Sequence, residues 1–299
     1  MDISVIILTY NEEIHIRRCL NNISDLVRDI YIIDSYSTDR TVDIAKQFDN
    51  VKILSHSWVN YATQFNWALE NIKFRTKWIL RLDADEYLTE ELKSEIRVKL
   101  PTLPHDISGL IFPLRRVFLG RIIYRGTNRI LLLRLFQTGK AKSEVRMMDE
   151  HIQLNDGKTI IFENEFVDDN LNNLTWWTNK HNGYAIREAV DLLDIELNLT
   201  GVATSDSDKN ISSQAKNKRM LKHYYVKAPL FLRSFLYFIY RYFFKLGFLD
   251  GKEGFLWNFL QGWWYRTLVD AKVFEIKKAC GTDKEKITKY LQEHYNITL

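Results

Sequence analysis

The sequence predicts an α/β fold: a mixed, mainly parallel sheet flanked by helices, followed by a C-terminal helical extension. Three observations carry this. Short apolar, β-branched runs alternate with amphipathic helical patterns through the first hundred residues. Residues 107–137 turn antiparallel in character. Beyond residue 209, basic and aromatic residues interleave at helical spacing. The chain has 299 residues, 46% hydrophobic and 27% charged, an ordinary globular composition able to bury a core. With only four prolines and twelve glycines, long disordered linkers are not expected.

Residues 3–8, Ile-Ser-Val-Ile-Ile-Leu, read as a central parallel strand covered on both faces. An amphipathic helix with Ile14, Ile16, Cys19, Leu20 and Ile23 follows. Residues 29–34 form a second strand that ends in an acid. A turn of N-cap residues, 35–39, then feeds a helix carrying Val42, Ile44, Ala45 and Phe48. Residues 51–54 make a third strand, 61–72 a third helix and 78–82 a fourth strand. That alternation predicts a parallel sheet with helices on both faces.

Residues 78–82 end abruptly in Asp83, Asp85 and Glu86. Aspartate is depleted in strands, so propensity alone does not put a carboxylate cluster there. Acids at i and i+2 of an extended segment lie on one side. Together they could hold a hard divalent cation, and the cation a diphosphate. The alternative is that Asp83 and Asp85 are solvated loop acids and Glu86 opens a helix running to Leu100. The first strand ends in Thr9-Tyr10-Asn11-Glu12 and the second in residues 34–39, so three polar clusters converge on one rim. Such a rim suits a nucleotide diphosphate. No GxGxxG follows the first strand and no Walker A sequence is present, which disfavours a dinucleotide and a P-loop ATPase.

Ser4-Val5-Ile6-Ile7-Leu8-Thr9-Tyr10-Asn11-Glu12-Glu13, Ile33-Asp34-Ser35-Tyr36-Ser37-Thr38-Asp39 and Leu82-Asp83-Ala84-Asp85-Glu86 together resemble the nucleotide-binding half of family 2 glycosyltransferases, which have the GT-A fold. The resemblance implies that Thr9, Tyr10 and Glu12 line a base and ribose pocket, with Asn11 and Ser37 on the same rim. It implies that Asp34 meets the base edge and that Asp83 faces the ribose or sugar. Asp85 would bind Mg²⁺ or Mn²⁺ bridging the diphosphate, with Asp83 a second candidate ligand. Many relatives carry Lys or Arg at the position of Phe65, and Arg81 is a candidate substitute.

Arg134-Leu135-Phe136, Gly139-Lys140, Asp149-Glu150 and Lys180-His181-Asn182-Gly183-Tyr184 resemble the lipopolysaccharide-core glucosyltransferase-like subgroup, where a His-Glu stands in place of Asp149-Glu150. By that likeness Glu150 is the general base, with Asp149 the runner-up, and a neighbouring acid would raise a base's pKa. His151 reads as structural. Arg115, Arg116, Arg129 and Arg146 are candidates for an acceptor phosphate, since a guanidinium forks onto phosphate oxygens. The alternative is a solvated hairpin.

The expected organisation is a catalytic domain at 1–197, divided at residue 100 into nucleotide-sugar and acceptor halves. A polar linker at 198–215 and a basic, aromatic helical region at 216–299 complete it. Residues 209–249 hold nine Lys/Arg and no Asp/Glu. Arg233, Arg241 and Lys245 share a helix face, which suits an anionic membrane surface; the alternative is packing on the catalytic domain or on a second copy of the chain. Nucleic acid is not expected, because the apolar faces are too wide to leave in water. Cys19 and Cys280 lie far apart, and Cys19 reads as a buried free thiol in a reducing compartment. The N-terminus lacks a signal-peptide pattern, and no apolar run reaches the ~20 residues of a spanning helix.

The activity expected is inverting transfer of a sugar from a nucleotide-diphosphate donor, UDP-linked, to a lipid-linked saccharide on the cytoplasmic face of a bacterial membrane. A sugar-phosphate nucleotidyltransferase and a non-catalytic membrane-associated module are the alternatives. The first usually has a glycine- and arginine-rich loop after strand one, which this chain lacks.

Overall fold

The computed structural model describes residues 1–144, 151–201 and 213–299. It divides into two compact units, residues 1–122 with 129–171, and residues 123–128 with 172–299.

The first unit opens with β1 (Ile3–Thr9), α1 (Ile16–Ile23), β2 (Asp29–Asp34), α2 (Thr41–Ala45), β3 (Val51–Ser55), α3 (Tyr61–Asn71) and β4 (Trp78–Arg81). These strands lie parallel in the order β3-β2-β1-β4. Then come β5 (Glu86–Leu88), α4 (Glu90–Lys99), β6 (Ile107–Phe118), β7 (Arg121–Ile123), β8 (Ile130–Gln137), β9 (Ala141–Ser143), β10 (Ile152–Leu154), β11 (Lys158–Ile161) and β12 (Phe166–Asp169). β8 lies antiparallel between β4 and β6, and β12 runs parallel to β6 and antiparallel to β5. The result is the expected α/β architecture, a GT-A-like mixed, mainly parallel sheet flanked by helices, with a C-terminal helical region.

Strand periodicity explains the layering. Val5 and Ile7 of β1 join Ile16, Cys19, Leu20 and Ile23 of α1 in one core. Ile6, between them, points to the other face and joins Phe65 and Ala68 of α3 with Phe136 of β8. Both faces of β1 are thus buried, as a continuous apolar run requires. Phe65, at the position where the family resemblance implies a basic residue, is wholly buried in this second core.

Glu86 does not open a helix. It belongs to β5, paired with β12, and α4 starts four residues later. Thr89 caps that helix by accepting a hydrogen bond from Leu92 N at 3.2 Å.

The second unit contains α5 (Leu174–Leu197), α6 (Ser213–Lys227), α7 (Leu232–Ile239), α8 (Gly251–Trp257), α9 (Tyr265–Cys280) and α10 (Lys284–Tyr295). Wide π-type turns, Tyr240–Phe244 and Asn258–Trp264, continue α7 and lead into α9. Its core joins Ala189 and Leu193 of α5 to Val269 and Ile276 of α9 and Leu291 of α10. No helix among the described residues is long and apolar enough to cross a membrane.

The basic face expected of 233–245 is not a surface. Arg233 is only 5% exposed and Arg241 only 3%. Arg233 pairs with buried Asp270 at 2.6 Å, which also accepts from Phe231 N at 2.8 Å. Arg241 Nε donates to Gly126 O at 2.8 Å. Gly126 has φ +81°, and any side chain there would overlap Asn258. Of the three residues that share a face in the sequence, Arg233 and Arg241 point inward, onto Asp270 and the Gly126 carbonyl, whereas Lys245 stays half-buried beside Tyr240.

Asp270→Ala leaves Arg233 charged and unpaired, and urea denaturation should show a loss of about 3–5 kcal/mol. Replacing both residues with apolar ones of similar volume should recover most of it.

Candidate active site

The first two strand ends are tied together by hydrogen bonds. Thr9 and Asp34 stand opposite each other in the register, and Thr9 Oγ1 donates to Asp34 Oδ1 at 3.0 Å. Ser37 donates to the same carboxylate twice, through Oγ at 2.6 Å and its backbone N–H at 2.8 Å. Ser37 Oγ in turn accepts from Asn11 N at 2.9 Å, and Asn11 Oδ1 accepts from Thr38 N at 2.8 Å. A carboxylate offers about four acceptor directions, and the donors among the described residues take three of those on Asp34. Asn11 and Tyr36 are left-handed, with φ of 56° and 62°. The loops therefore turn sharply and leave Tyr10 and Tyr36 largely exposed.

The end of β4 is crowded with acids. Asp83 accepts a hydrogen bond from the Tyr61 hydroxyl, while its backbone N–H donates to Glu86 Oε2 at 2.8 Å. Arg134, on β8, reaches Glu86 Oε1 at 2.5 Å and Asp83 Oδ2 at 3.8 Å. Arg81 lies 4.0 Å from the centroid of the Tyr61 ring and donates to its hydroxyl at 3.0 Å. Burial pushes the Glu86 carboxyl well above the usual carboxylate range, against the opposing pull of Arg134.

Asp85 differs from Glu86 because no described arginine or lysine pairs with its carboxylate. Its Oδ2 accepts from Asn170 Nδ2 at 2.8 Å. Burial, then the charges of Asp168 and Asp83, and more weakly that of Glu12, push its pKa up to about 6. Its backbone carbonyl is held by Arg18 Nη2 and Asp169 N, each at 3.1 Å. A cation beside Asp85 would relieve this excess of negative charge, so the donor set fits a hard divalent ion. Among the described residues no group of three His, Cys, Asp or Glu could hold a metal unaided. A magnesium-type site built from one or two carboxylates and substrate phosphates needs none.

Glu12, three residues beyond the end of β1, joins the rim from the side. Its Oε2 lies 2.6 Å from Nδ1 of the buried His15. His15 Nε2 accepts from Leu171 N at 2.9 Å, which leaves Nδ1 as the protonated nitrogen donating to Glu12. Of the arginines expected near the acceptor, Arg116 pairs with Asp168 at 3.0 Å and Arg115 Nε with Glu165 at 2.6 Å. As neighbours on β6 they point to opposite faces. Arg129 Nη2 donates to Glu163 O at 2.8 Å. Arg146, Asp149 and Glu150 lie outside the described residues.

The sequence reading missed Tyr61, Arg18, Arg134, Asp168 and Asn170. For the last two a signal was available: Phe166-Val167-Asp168-Asp169-Asn170 is another short strand ending in acids, the same pattern as residues 78–86. The others reach the site from helices or from mid-strand, where spacing carries no such mark.

Residues 4–168 match the family described as Glycosyl transferase family 2. The SPbeta prophage-derived glycosyltransferase SunS of Bacillus subtilis (strain 168) is 33% identical over 153 residues, 50% of this chain and 34% of that protein. An uncharacterized glycosyltransferase of Rickettsia felis is 40% identical over 94 residues, 31% of this chain and 32% of that protein. The chain thus spans about a third of the length of these relatives. Among solved structures, S. aureus TarS 1-349 in complex with UDP-GlcNAc aligns with a TM-score of 0.47 and 15% identity, covering 99% of this chain and 92% of that one. The matched residues run from the start of β1 to within one residue of the end of β12 and so take in every described side chain of the acidic rim except Asn170; the chain belongs to glycosyl transferase family 2.

Proposed function

We propose that the protein transfers a sugar, with inversion, from a UDP-sugar to a lipid-linked saccharide acceptor. The observation that carries this is the convergence of β1, β2 and β4, whose polar ends bring Glu12, Asp34, Asp83 and Asp85 to one sheet edge. The fourth acceptor direction of Asp34 suits an imide N–H, which uracil presents. Tyr10 and Tyr36 offer exposed ring faces on which the base could stack.

Asp85, with Asp83 beside it, would hold Mg²⁺ or Mn²⁺, which when bound neutralises charge on the departing diphosphate. Arg18 and Asn170 keep Asp85 aimed, one through its carbonyl and the other through its carboxylate. Tyr61 and Arg134 orient Asp83. Glu150, or Asp149 next to it, takes the proton of the acceptor hydroxyl as its oxygen bonds to the anomeric carbon. The bond from that carbon to the diphosphate oxygen breaks on the opposite face. Arg116 and Arg146 are the candidates for an acceptor phosphate. The likeness around residues 134–184 supports a lipopolysaccharide core or a polyprenyl-diphosphate glycan as acceptor. With such an acceptor the enzyme would work as a peripheral protein on the inner face of a bacterial membrane.

A thermal-shift screen of nucleotide sugars with Mn²⁺, followed by hydrolysis assays on the ligands that bind, tests the donor; no stabilisation by any of them would overturn the reading. Asp85→Asn should abolish metal-dependent donor binding. It should also raise the melting temperature of the metal-free protein at pH 7 by a few degrees. The sign follows from the raised pKa: the folded protein holds the Asp85 proton more tightly than the unfolded chain. Stability is therefore lost as pH rises from about 4 to about 6, and the variant escapes that loss. Glu150→Gln should leave donor affinity within about twofold and cut turnover by about 10²-fold or more, measured by sugar release at saturating donor. Unchanged turnover would move the base elsewhere.

A further inference from the structure

Residues 232–244 are amphipathic in the wrong sense for a protein surface. Leu232, Phe235, Leu236, Tyr240, Phe243 and Phe244 follow i, i+3, i+4 spacing and face outward, with Leu236 54% exposed and Phe244 75%. The inward face carries Arg233, Ser234 and Arg241, all buried. Arg233 is held by Asp270 and by the carbonyls of Tyr225 and Val226, at 3.0 and 3.2 Å. The helix therefore cannot roll over to hide its apolar side without leaving those cations unpaired.

The apolar side is not a lone stripe. Phe235 meets Trp263 at 5.2 Å, Trp263 meets Phe259 at 5.8 Å, and Phe259 meets Phe255 at 6.0 Å between ring centroids. Phe255 is itself exposed. An aromatic surface thus extends from α7 across the segment that precedes α9. Contiguous apolar surface of this kind marks a docking site.

Charge selects the occupant. Lys227 and Lys252, which flank the stripe in sequence, are exposed, and Lys245 lies 5.7 Å from the Tyr240 ring centroid. A twofold dimer through this face would set lysines against lysines. Anionic phospholipid headgroups would complement them. At roughly 20 Å, a helical segment of this length is too short to span a bilayer but can lie in its interface.

We propose that residues 232–244, with Phe255 beside them, form an interfacial insertion surface for anionic bilayers, the aromatic side chains entering the headgroup boundary and the lysines meeting phosphates. This rests on the peripheral-membrane reading above and names the element responsible. The test is flotation of the full chain with equimolar phosphatidylglycerol–phosphatidylethanolamine vesicles, against phosphatidylcholine alone, at low and high salt. Wild type should float with the anionic vesicles at low salt. Leu236→Glu combined with Phe244→Glu should reduce the floated fraction by about tenfold. Because both side chains point into solvent, the double variant should keep its melting temperature and its hydrolysis of nucleotide sugar in lipid-free buffer. Wild type remaining at the bottom of the gradient, or the variant floating as well as wild type, overturns the proposal. So does a concentration-dependent dimer, seen by analytical ultracentrifugation, that the double variant abolishes without any vesicle binding. Hydrolysis without flotation removes the docking surface and spares the donor site; flotation without hydrolysis does the reverse.

Discussion

Parallel strands β2, β1 and β4 end side by side, so the acids that follow them share one small volume. Like charges at close range cannot all ionise freely, and the site resolves this in three ways. Asp34 is hydrogen-bonded by neutral donors, from Thr9 and Ser37. Glu86 is met by the Arg134 guanidinium. Among the described residues Asp85 has only the Asn170 amide on its carboxylate, and its pKa rises to about 6. Ionisation is thus disfavoured at both Glu86 and Asp85, and of the two Asp85 is the one with no described arginine or lysine on its carboxylate.

Much of the remaining first unit serves to hold that arrangement. Arg18 pins the Asp85 carbonyl and the Asp169 backbone, which ties α1 to β12. His15 links Glu12 to Leu171 through one fixed tautomer. Tyr61 and Arg81 stack beneath Asp83. These contacts cost stability where they bury charge, and they place the carboxylates within a narrow range of orientations.

The second unit obeys the opposite economy of surfaces. A buried guanidinium is costly unless paired, and Asp270 supplies the pair for Arg233. Once that pair forms, the aromatic face of α7 must look outward. A polar anchor inside the fold thus dictates where the apolar surface lies.

The fold class was legible because its signals are local. Apolar runs of strand length, helical periodicity and the acids after residues 8, 33 and 82 all lie within a few neighbouring positions, so β1 to β4 and the polar rim could be read directly. Glu86 was ambiguous, since an acid before a helical pattern looks like a helix start; only β12, eighty residues later, draws it into β5. Which acid is paired, which is not, and which way α7 faces were decided by tertiary structure. Each depends on a partner distant in the chain: Arg134 for Glu86, Asn170 for Asp85, and Asp270 for Arg233. Periodicity shows that a helix has two faces, but the side that turns inward is chosen by the charges it finds there.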